Sequence, residues 1–275
     1  MTHILITGCS SGIGLRCAQL LLQRGYHVVA ACRQPHDVER LQQQGIMSVQ
    51  MDLSSQHSIE SGFQAAMTYL DGHIDALFNN AAYGQTGAIE DLPTEALRAQ
   101  FETNLFGWHH LIRLVLPHML AQNHGRIIQD SSVLGLVALC YRGAYCASKF
   151  ALEGYTDTLR LELASTPIRI SLIEPGPINS QFRHNAKVIF EQTIQWQQSR
   201  HKDNYQATLQ RLGSEQPLNR HTLQPEAVYR CLLHALESSH PKHRYYVTRP
   251  TKYVALLRRI LPSIWLDRIL LKGGA

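Results

Sequence analysis

Residues 7–14 read TGCSSGIG, and they follow the short apolar run HILI at residues 3–6. Gly8, Gly12 and Gly14 fall at the spacing G-x-x-x-G-x-G, and a helix-like apolar pattern over 13–24 begins directly behind them. A strand that enters a helix through so bare a turn is a place to hold a pyrophosphate. Glycine lets the backbone approach an anion and adopt positive φ. The helix start adds unpaired N–H groups and the positive end of its dipole. A turn that merely closes a strand–helix corner is the plainer reading. Its position after the first strand of a βαβ pattern favours the dinucleotide site, with Ser10, Ser11 and Ile13 in the same turn.

Working outward, the first 175 residues alternate apolar strand-like runs with helical patterns. Strands are expected at YHVVAA (26–31), IMSVQM (46–51), IDALFNN (74–80), GRIIQDSS (125–132) and IRISLIEP (168–175). Helices are expected near 36–44, 56–70 and 143–164, with a long apolar-periodic region over 95–122. Apolar strands separated by helices imply a parallel sheet covered on both faces. The predicted fold class is therefore α/β, a doubly wound parallel sheet in one Rossmann-type domain with a C-terminal helical extension. Ligands in such a sheet lie at the carboxyl ends of the strands.

Residues 177–223 break the rhythm: they are polar, rich in Gln, and carry Phe182, Phe190, Trp196 and Tyr205. They read either as a mobile lid over the site or as a surface helical insertion. No internal repeat or inter-domain linker is evident.

Composition sets further bounds. Hydrophobic residues make up 44% of the 275, enough for a sizeable core. No apolar run reaches the roughly 18 residues of a spanning helix. The chain starts without a basic segment leading into an apolar run, so no signal peptide is expected. The six cysteines show no C-x-x-C spacing, which points to reduced thiols, no metal site and a cytoplasmic setting. The formal charge of +5 is uneven: residues 240–275 hold eight Lys or Arg against one Asp. The body is thus slightly acidic, which argues against a nucleic-acid face there.

The second strand ends AACRQ, with Arg33 where an acid would bind a ribose 2′-hydroxyl. A guanidinium binds a 2′-phosphate through paired hydrogen bonds, while a carboxylate repels it. NADP(H) is therefore the expected cofactor, the plainer alternative being a solvated surface charge.

The fifth strand ends QDSS. Tyr145 follows Ser132 by thirteen residues, and Lys149 follows Tyr145 by four, within YCASK. Positions i and i+4 share a helix face, so Tyr145, Lys149 and Ser132 can converge at the cofactor edge. A phenol there can protonate the oxygen of a carbonyl that has received a hydride. Tyrosine's reference pKa is about 10; an adjacent ammonium lowers it, and that is the task expected of Lys149. Ser132 would hold the substrate oxygen. Singly these residues are weak signals; the joint spacing downstream of a nucleotide turn carries the reading.

Together these motifs resemble the short-chain dehydrogenase/reductase family over nearly the whole chain. The stretch AYCASKFALEGYTDTLRLEL and the long tail are similar to its retinol and 17β-hydroxysteroid dehydrogenase branch, and most like bacterial members that reduce aldehydes with NADPH. The resemblance implies further roles. Asp52, in MDL, matches an adenine-contacting acid. Asn79 and Asn80, in NNAAYG, match the segment that steadies the sheet and lines the nucleotide. Asn104, in FETNLFG, matches the asparagine that completes a tetrad with Ser132, Tyr145 and Lys149 and holds a water in a proton relay. The loop EPGPINS supplies Pro175, Gly176, Ile178 and Ser180 to the nicotinamide. Three positions depart from the family pattern: Ala82 where Gly is usual, Ser180 for Thr, and Ser11 where many NADP enzymes carry a basic residue. Homodimers or homotetramers are the family's common states.

Carbonyl reduction is the leading expectation. Alcohol oxidation of the retinol or steroid type is the second, and a non-catalytic nucleotide-binding regulator the third. The implied substrate is an apolar carbonyl compound, with Leu134, Leu139, Tyr141 and Phe182 as pocket candidates; ordinary packing is the competing explanation for each. The tail, residues 251–272, spaces Val254, Leu257, Leu261, Ile264, Trp265 and Ile269 near a helical period among Arg258, Arg259, Arg268 and Lys272, with Pro262 expected to split it. Such a face suits peripheral contact with an anionic membrane, a second subunit, or the protein itself.

Overall fold

The computed structural model describes residues 2–214, 216 and 220–273, with the side chains of Lys272 and Gly273 outside that description. Seven parallel strands form one sheet: β1 (His3–Thr7), β2 (His27–Cys32), β3 (Ser48–Gln50), β4 (Ala76–Asn79), β5 (Gly125–Asp130), β6 (Ile168–Glu174) and β7 (Arg244–Tyr246). Their order is β3-β2-β1-β4-β5-β6-β7. The order reverses between β1 and β4, which opens a crevice at the carboxyl ends of these strands. The glycine turn follows β1 at that point.

Strand alternation divides the core in two. Leu5, Val29, Leu77 and Ile127 point to one face. They pack there on α3 (Gln56–Tyr69), α5 (Gly107–Ala121) and α6 (Gly143–Glu162) through Phe63, Trp108 and Leu152. Ile4, Ile6, Val28 and Phe78 point to the other. They meet α1 (Gly12–Gln23), α2 (Pro35–Gln43) and α9 (Glu226–Glu237) through Leu21, Leu41 and Leu232. A strand buried on both faces reads as continuously apolar, as these do.

The region expected over 95–122 is interrupted. Helix α4 (Thr94–Phe101) passes through a π-helical turn, Glu102–Phe106, before α5 begins. Such turns gather at functional sites, and this one carries Asn104. Gly107 lies so close to Leu53 that an added Cβ would meet its carbonyl oxygen at 2.1 Å.

Among its described residues the segment 177–223 is largely helical. It contains α7 (Phe182–Thr193) and α8 (Lys202–Gly213), and residues 215 and 217–219 fall outside the described residues. Phe190, Ile194 and Tyr205 are buried there with Ala88 in a small third core. The Tyr205 hydroxyl donates to Asp91 Oδ2 (2.6 Å) and accepts from the Ala88 amide (2.8 Å). The tail forms α10 (Arg249–Ile260) and α11 (Ser263–Gly273), with Pro262 between them. Tyr253, Leu256, Ile260, Ile264, Trp265 and Ile269 stand exposed along these helices. Among the described residues no helix is long and apolar enough to cross a membrane. All six cysteines are free thiols, and no cluster of potential metal ligands occurs among the described residues.

β7 was not anticipated: at three residues its alternation is too short to register. Its Arg244 binds Glu174 (2.6 Å), Asp157 (2.6 Å) and Glu153, and Glu153 accepts from the Ser131 hydroxyl. Burial, then the charge of Glu153, pushes the Glu174 carboxyl well above its ordinary value. A raised native pKa means the folded state holds that proton more tightly than the unfolded chain. Its contribution is full below the unfolded value of about 4.3 and is lost as pH rises through the native value. Denaturant unfolding from acid pH through neutral is therefore expected to show stability falling with pH. In Glu174→Gln that slope should shrink by up to one proton, about 1.4 kcal/mol per pH unit. An unchanged slope would assign the effect elsewhere.

Candidate active site

The glycine turn is shaped by contact as well as by conformation. Gly8 and Gly12 have φ of 73° and 58°. A Cβ on Gly14 would strike the Gly8 carbonyl oxygen at 2.3 Å and Asn80 Nδ2 at 2.7 Å, and one on Gly12 would strike Ser180 at 2.9 Å. Asn80 Nδ2 donates to the carbonyls of Thr7 (2.9 Å) and Gly8 (3.2 Å), tying the end of β4 to the turn. Ser11, the N-cap of α1, has extended backbone and no side-chain cap, and the first helical turn carries no acid. The helix start is thus uncapped and free of negative charge, as a pyrophosphate requires. These residues fit a nicotinamide dinucleotide. Ala82 has no positive φ, so the departure at that position carries no backbone strain.

At the adenosine end, the Asp52 carboxylate accepts from the Ser54 amide (2.9 Å) and hydroxyl (2.7 Å), which fixes its direction. Arg33 is exposed, with no ion pair among the described residues. A neighbour missed in the sequence is Arg40, one and a half turns into α2. Its Nη2 donates to the Ser10 carbonyl (2.7 Å) and to Asp37 Oδ1 (2.8 Å). Asp37, the nearest acid after β2, is thereby already engaged.

At the other end, Tyr145 and Lys149 rise from the first two turns of α6, both buried. Ser132 lies near enough to the Tyr145 hydroxyl to favour its ionised form. Ser132 follows β5 by two residues and also accepts from the Leu134 amide (3.1 Å). Lys149 Nζ donates to the Asp130 carbonyl oxygen (2.7 Å) and lies 4.6 Å from the centre of the Trp108 ring and 5.8 Å from that of Tyr145. Asn104 accepts from the Tyr83 amide (3.3 Å) and donates to the Tyr83 carbonyl (3.1 Å) and the Ser148 hydroxyl (3.2 Å). All four expected residues therefore gather at the carboxyl end of β5 and the start of α6.

Burial raises the Tyr145 hydroxyl above its ordinary value, opposed by Ser132 and, more weakly, by the charge of Arg142. Lys149 is itself pulled down by burial and upheld by Asp130, whose buried carboxyl is pushed up. Its ammonium is thus committed to the end of β5. The spacing Y-x-x-x-K shows that two side chains share a face; it does not show which carbonyl captures the amine.

The loop after β6 closes the site. The Val133 amide donates to the Pro175 carbonyl (2.8 Å). Gly176 sits against Thr248, whose Oγ1 would be 2.2 Å from an added Cβ. Ile178 forms a β-bridge to Leu223, and Ser180 packs on Gly12 as described. Phe182, the first residue of α7, stacks edge-on to Tyr145 with centroids 5.4 Å apart, over Gly84, whose Cβ it would meet at 2.8 Å. Leu134 and Leu139 are half-buried, and the Leu134 amide donates to Ser132. Tyr141 is placed differently from the other pocket candidates. It takes φ of 61° and packs on His201 (5.3 Å) and Tyr205 (5.6 Å) in the small third core.

Residues 2–188 match the short chain dehydrogenase family. An uncharacterized oxidoreductase of Escherichia coli (strain K12), YbbO, is 41% identical over 267 residues, which cover 97% of this chain and 93% of that protein. Retinol dehydrogenase 8 of Homo sapiens is 38% identical over 189 residues, 65% of this chain and 60% of its own length. A solved short chain dehydrogenase/reductase from Burkholderia phymatum, in complex with NAD, superposes with a TM-score of 0.78 at 26% identity, covering 94% of this chain and 92% of that one. The sheet order, the bare turn and the four gathered polar residues agree with these likenesses. The chain belongs to the short chain dehydrogenase family of oxidoreductases.

Proposed function

We propose that this chain reduces aldehydes or ketones to alcohols with NADPH, with Tyr145 as the proton donor. The observation that carries the reading is Tyr145 at the start of α6, edge-on to Phe182 and with Lys149 beside its ring, at the end of the sheet where Ser132 follows β5. The reduced nicotinamide, when bound, supplies a hydride to the carbonyl carbon. Ser132 holds the carbonyl oxygen by a hydrogen bond, and Tyr145 gives that oxygen its proton. Burial disfavours the phenolate, so the phenol enters the reduction with its proton in place. Lys149 and Asn104 brace the start of α6 from behind, through Asp130 and Ser148.

NADPH is favoured over NADH by two features at the end of β2. Arg33 stands exposed without an acidic partner among the described residues, and Asp37 is held by Arg40. Phe182 beside Tyr145 and Leu134 beside Ser132 favour an apolar carbonyl compound, as does the name of retinol dehydrogenase 8 among the relatives. The exposed apolar residues of α10 and α11, interleaved with Arg258, Arg259 and Arg268, suit contact with an anionic membrane surface that would present such a compound.

The test is consumption of NADPH, followed spectroscopically, over a panel of straight-chain and aromatic aldehydes and ketones. Turnover with NADPH well above that with NADH is expected. No turnover with any carbonyl would favour a non-catalytic binding protein, and turnover confined to alcohols with NADP+ would reverse the assigned direction.

A further inference from the structure

Arg244, on the edge strand β7, lies beyond residues 2–188 of the family match, yet its guanidinium joins α6 to the ends of β5 and β6. Nη1 donates to both Glu153 Oε2 and Glu174 Oε1 (2.6 Å), and Nη2 donates to Asp157 Oδ2 (2.6 Å). Glu153 follows Lys149 by one turn on the same face of α6. Its other oxygen accepts from the Ser131 hydroxyl, and Ser131 immediately precedes Ser132. Glu174 is the last residue of β6 and immediately precedes the loop that begins at Pro175.

Backbone bonds cross the same junction. The Ser131 amide donates to the Ile173 carbonyl (2.7 Å) and the Val133 amide to the Pro175 carbonyl (2.8 Å), so Ser132 lies between the two. Gly135 closes the turn behind it: a Cβ there would lie 2.8 Å from Ser131 Oγ and 3.0 Å from Glu153 Oε1. Glu153 and Glu174 are buried. Glu174 Oε2 is buried without a partner among the described residues, so the hold on this side chain runs through Oε1 and the guanidinium. Replacing buried ion pairs by apolar side chains is often neutral or stabilising, which makes such a network a weak source of stability. What a planar guanidinium supplies is direction, because it fixes where each carboxylate stands.

We propose that Arg244 is a positioning residue for the reaction: through Glu153 and Glu174 it sets Ser132 and the loop after β6 in register with Tyr145. The proposal rests on the carbonyl-reduction reading, in which Ser132 holds the oxygen that Tyr145 protonates. A misplacement of about 1 Å at a reacting group can cost about 100-fold in rate.

The test is the first-order rate constant of NADPH oxidation in a single turnover with aldehyde, the full chain being in excess. That constant does not depend on how much of the sample is folded, whereas the amplitude does. In Arg244→Ala it is expected to fall by about 10- to 100-fold, with NADPH affinity little changed. Asp157→Asn removes the one leg that is partly exposed and reaches neither strand end, and it should leave the constant nearly as before. Ethylguanidinium replaces the atoms missing in Arg244→Ala. A cavity of about 490 Å³, lined by Gly135, Phe150, Glu153, Asp157, Arg244 and Arg258, gives it a way in. It should restore part of the rate, saturably, where ethylammonium does not. An unchanged constant in Arg244→Ala, an equal fall in Asp157→Asn, or rescue by both cations alike would overturn the proposal. Arg244→Lys, which keeps the charge and loses the fork, serves if the alanine variant fails to fold, and an unchanged constant there has the same meaning.

If the unmodified protein reduces no carbonyl, the reading of the reaction has failed, and amide hydrogen exchange decides the positioning by itself. Residues 131–135 and 174–177 should exchange faster in Arg244→Ala, with residues 3–7 and 27–32 unchanged. No change in the first two segments, or the same acceleration across the sheet, would overturn the proposal.

Discussion

Replacing Tyr145 by Phe removes one oxygen and is expected to lower kcat by about 10²- to 10⁴-fold, the usual contribution of a positioned proton donor. Cofactor affinity should hardly change, because the ring remains and keeps its edge contact with Phe182. Ser132 still accepts from the Leu134 amide and keeps its direction. Steady-state rates with a good aldehyde, together with NADPH binding followed by fluorescence, separate the two effects. Near-normal turnover in the variant would mean that another group delivers the proton. A joint loss of turnover and cofactor binding would mean that the ring, not the hydroxyl, matters.

Replacing Arg33 by Ala should weaken NADPH by about 10- to 100-fold, the range for hydrogen bonds to a charged group, and leave NADH nearly as before. The phosphate that distinguishes the two cofactors would lose its exposed guanidinium, whereas the ribose hydroxyls never depended on it. Arg40 cannot substitute without releasing Asp37 and the Ser10 carbonyl. Titration of both cofactors into both proteins gives the answer. An equal effect on NADH would show that Arg33 steadies the loop, and no effect on either would show that it faces solvent.

The fold was legible because its strands are buried on both faces. Runs such as ALFN (76–79) in β4 and VVAAC (28–32) in β2 carry no alternation to misread, and the glycine turn fixes which strand comes first. The ends of β3 to β6 were read one or two residues too long, since Met51, Asn80, Ser131, Ser132 and Pro175 belong to the loops that leave the sheet. Three of the tetrad were legible for a different reason: Tyr145 and Lys149 are set by helical period, and Ser132 by the end of a strand, while Asn104 came only from the family resemblance.

What escaped were features made by contact between distant segments. Arg40 meets Ser10 across thirty residues, and Arg142 meets Thr86 across fifty-six. The partner that captures Lys149 is a backbone carbonyl, which carries no signature in the sequence. The cover over 177–223 looked irregular because its apolar positions are few. Phe190 and Tyr205 nonetheless suffice to seat it, since each fills a gap beside Ala88. Tyr141, read as a pocket residue, was drawn into that same packing.

The account's central claim is hydride delivery to a carbonyl carbon at Tyr145. It is tested most directly by supplying an aldehyde with NADPH deuterated at C4 of the nicotinamide, in each of the two stereochemical forms. The account predicts that one form, and only one, transfers its deuterium to the carbinol carbon of the alcohol. An alcohol without label from either form, or no alcohol at all, would contradict it.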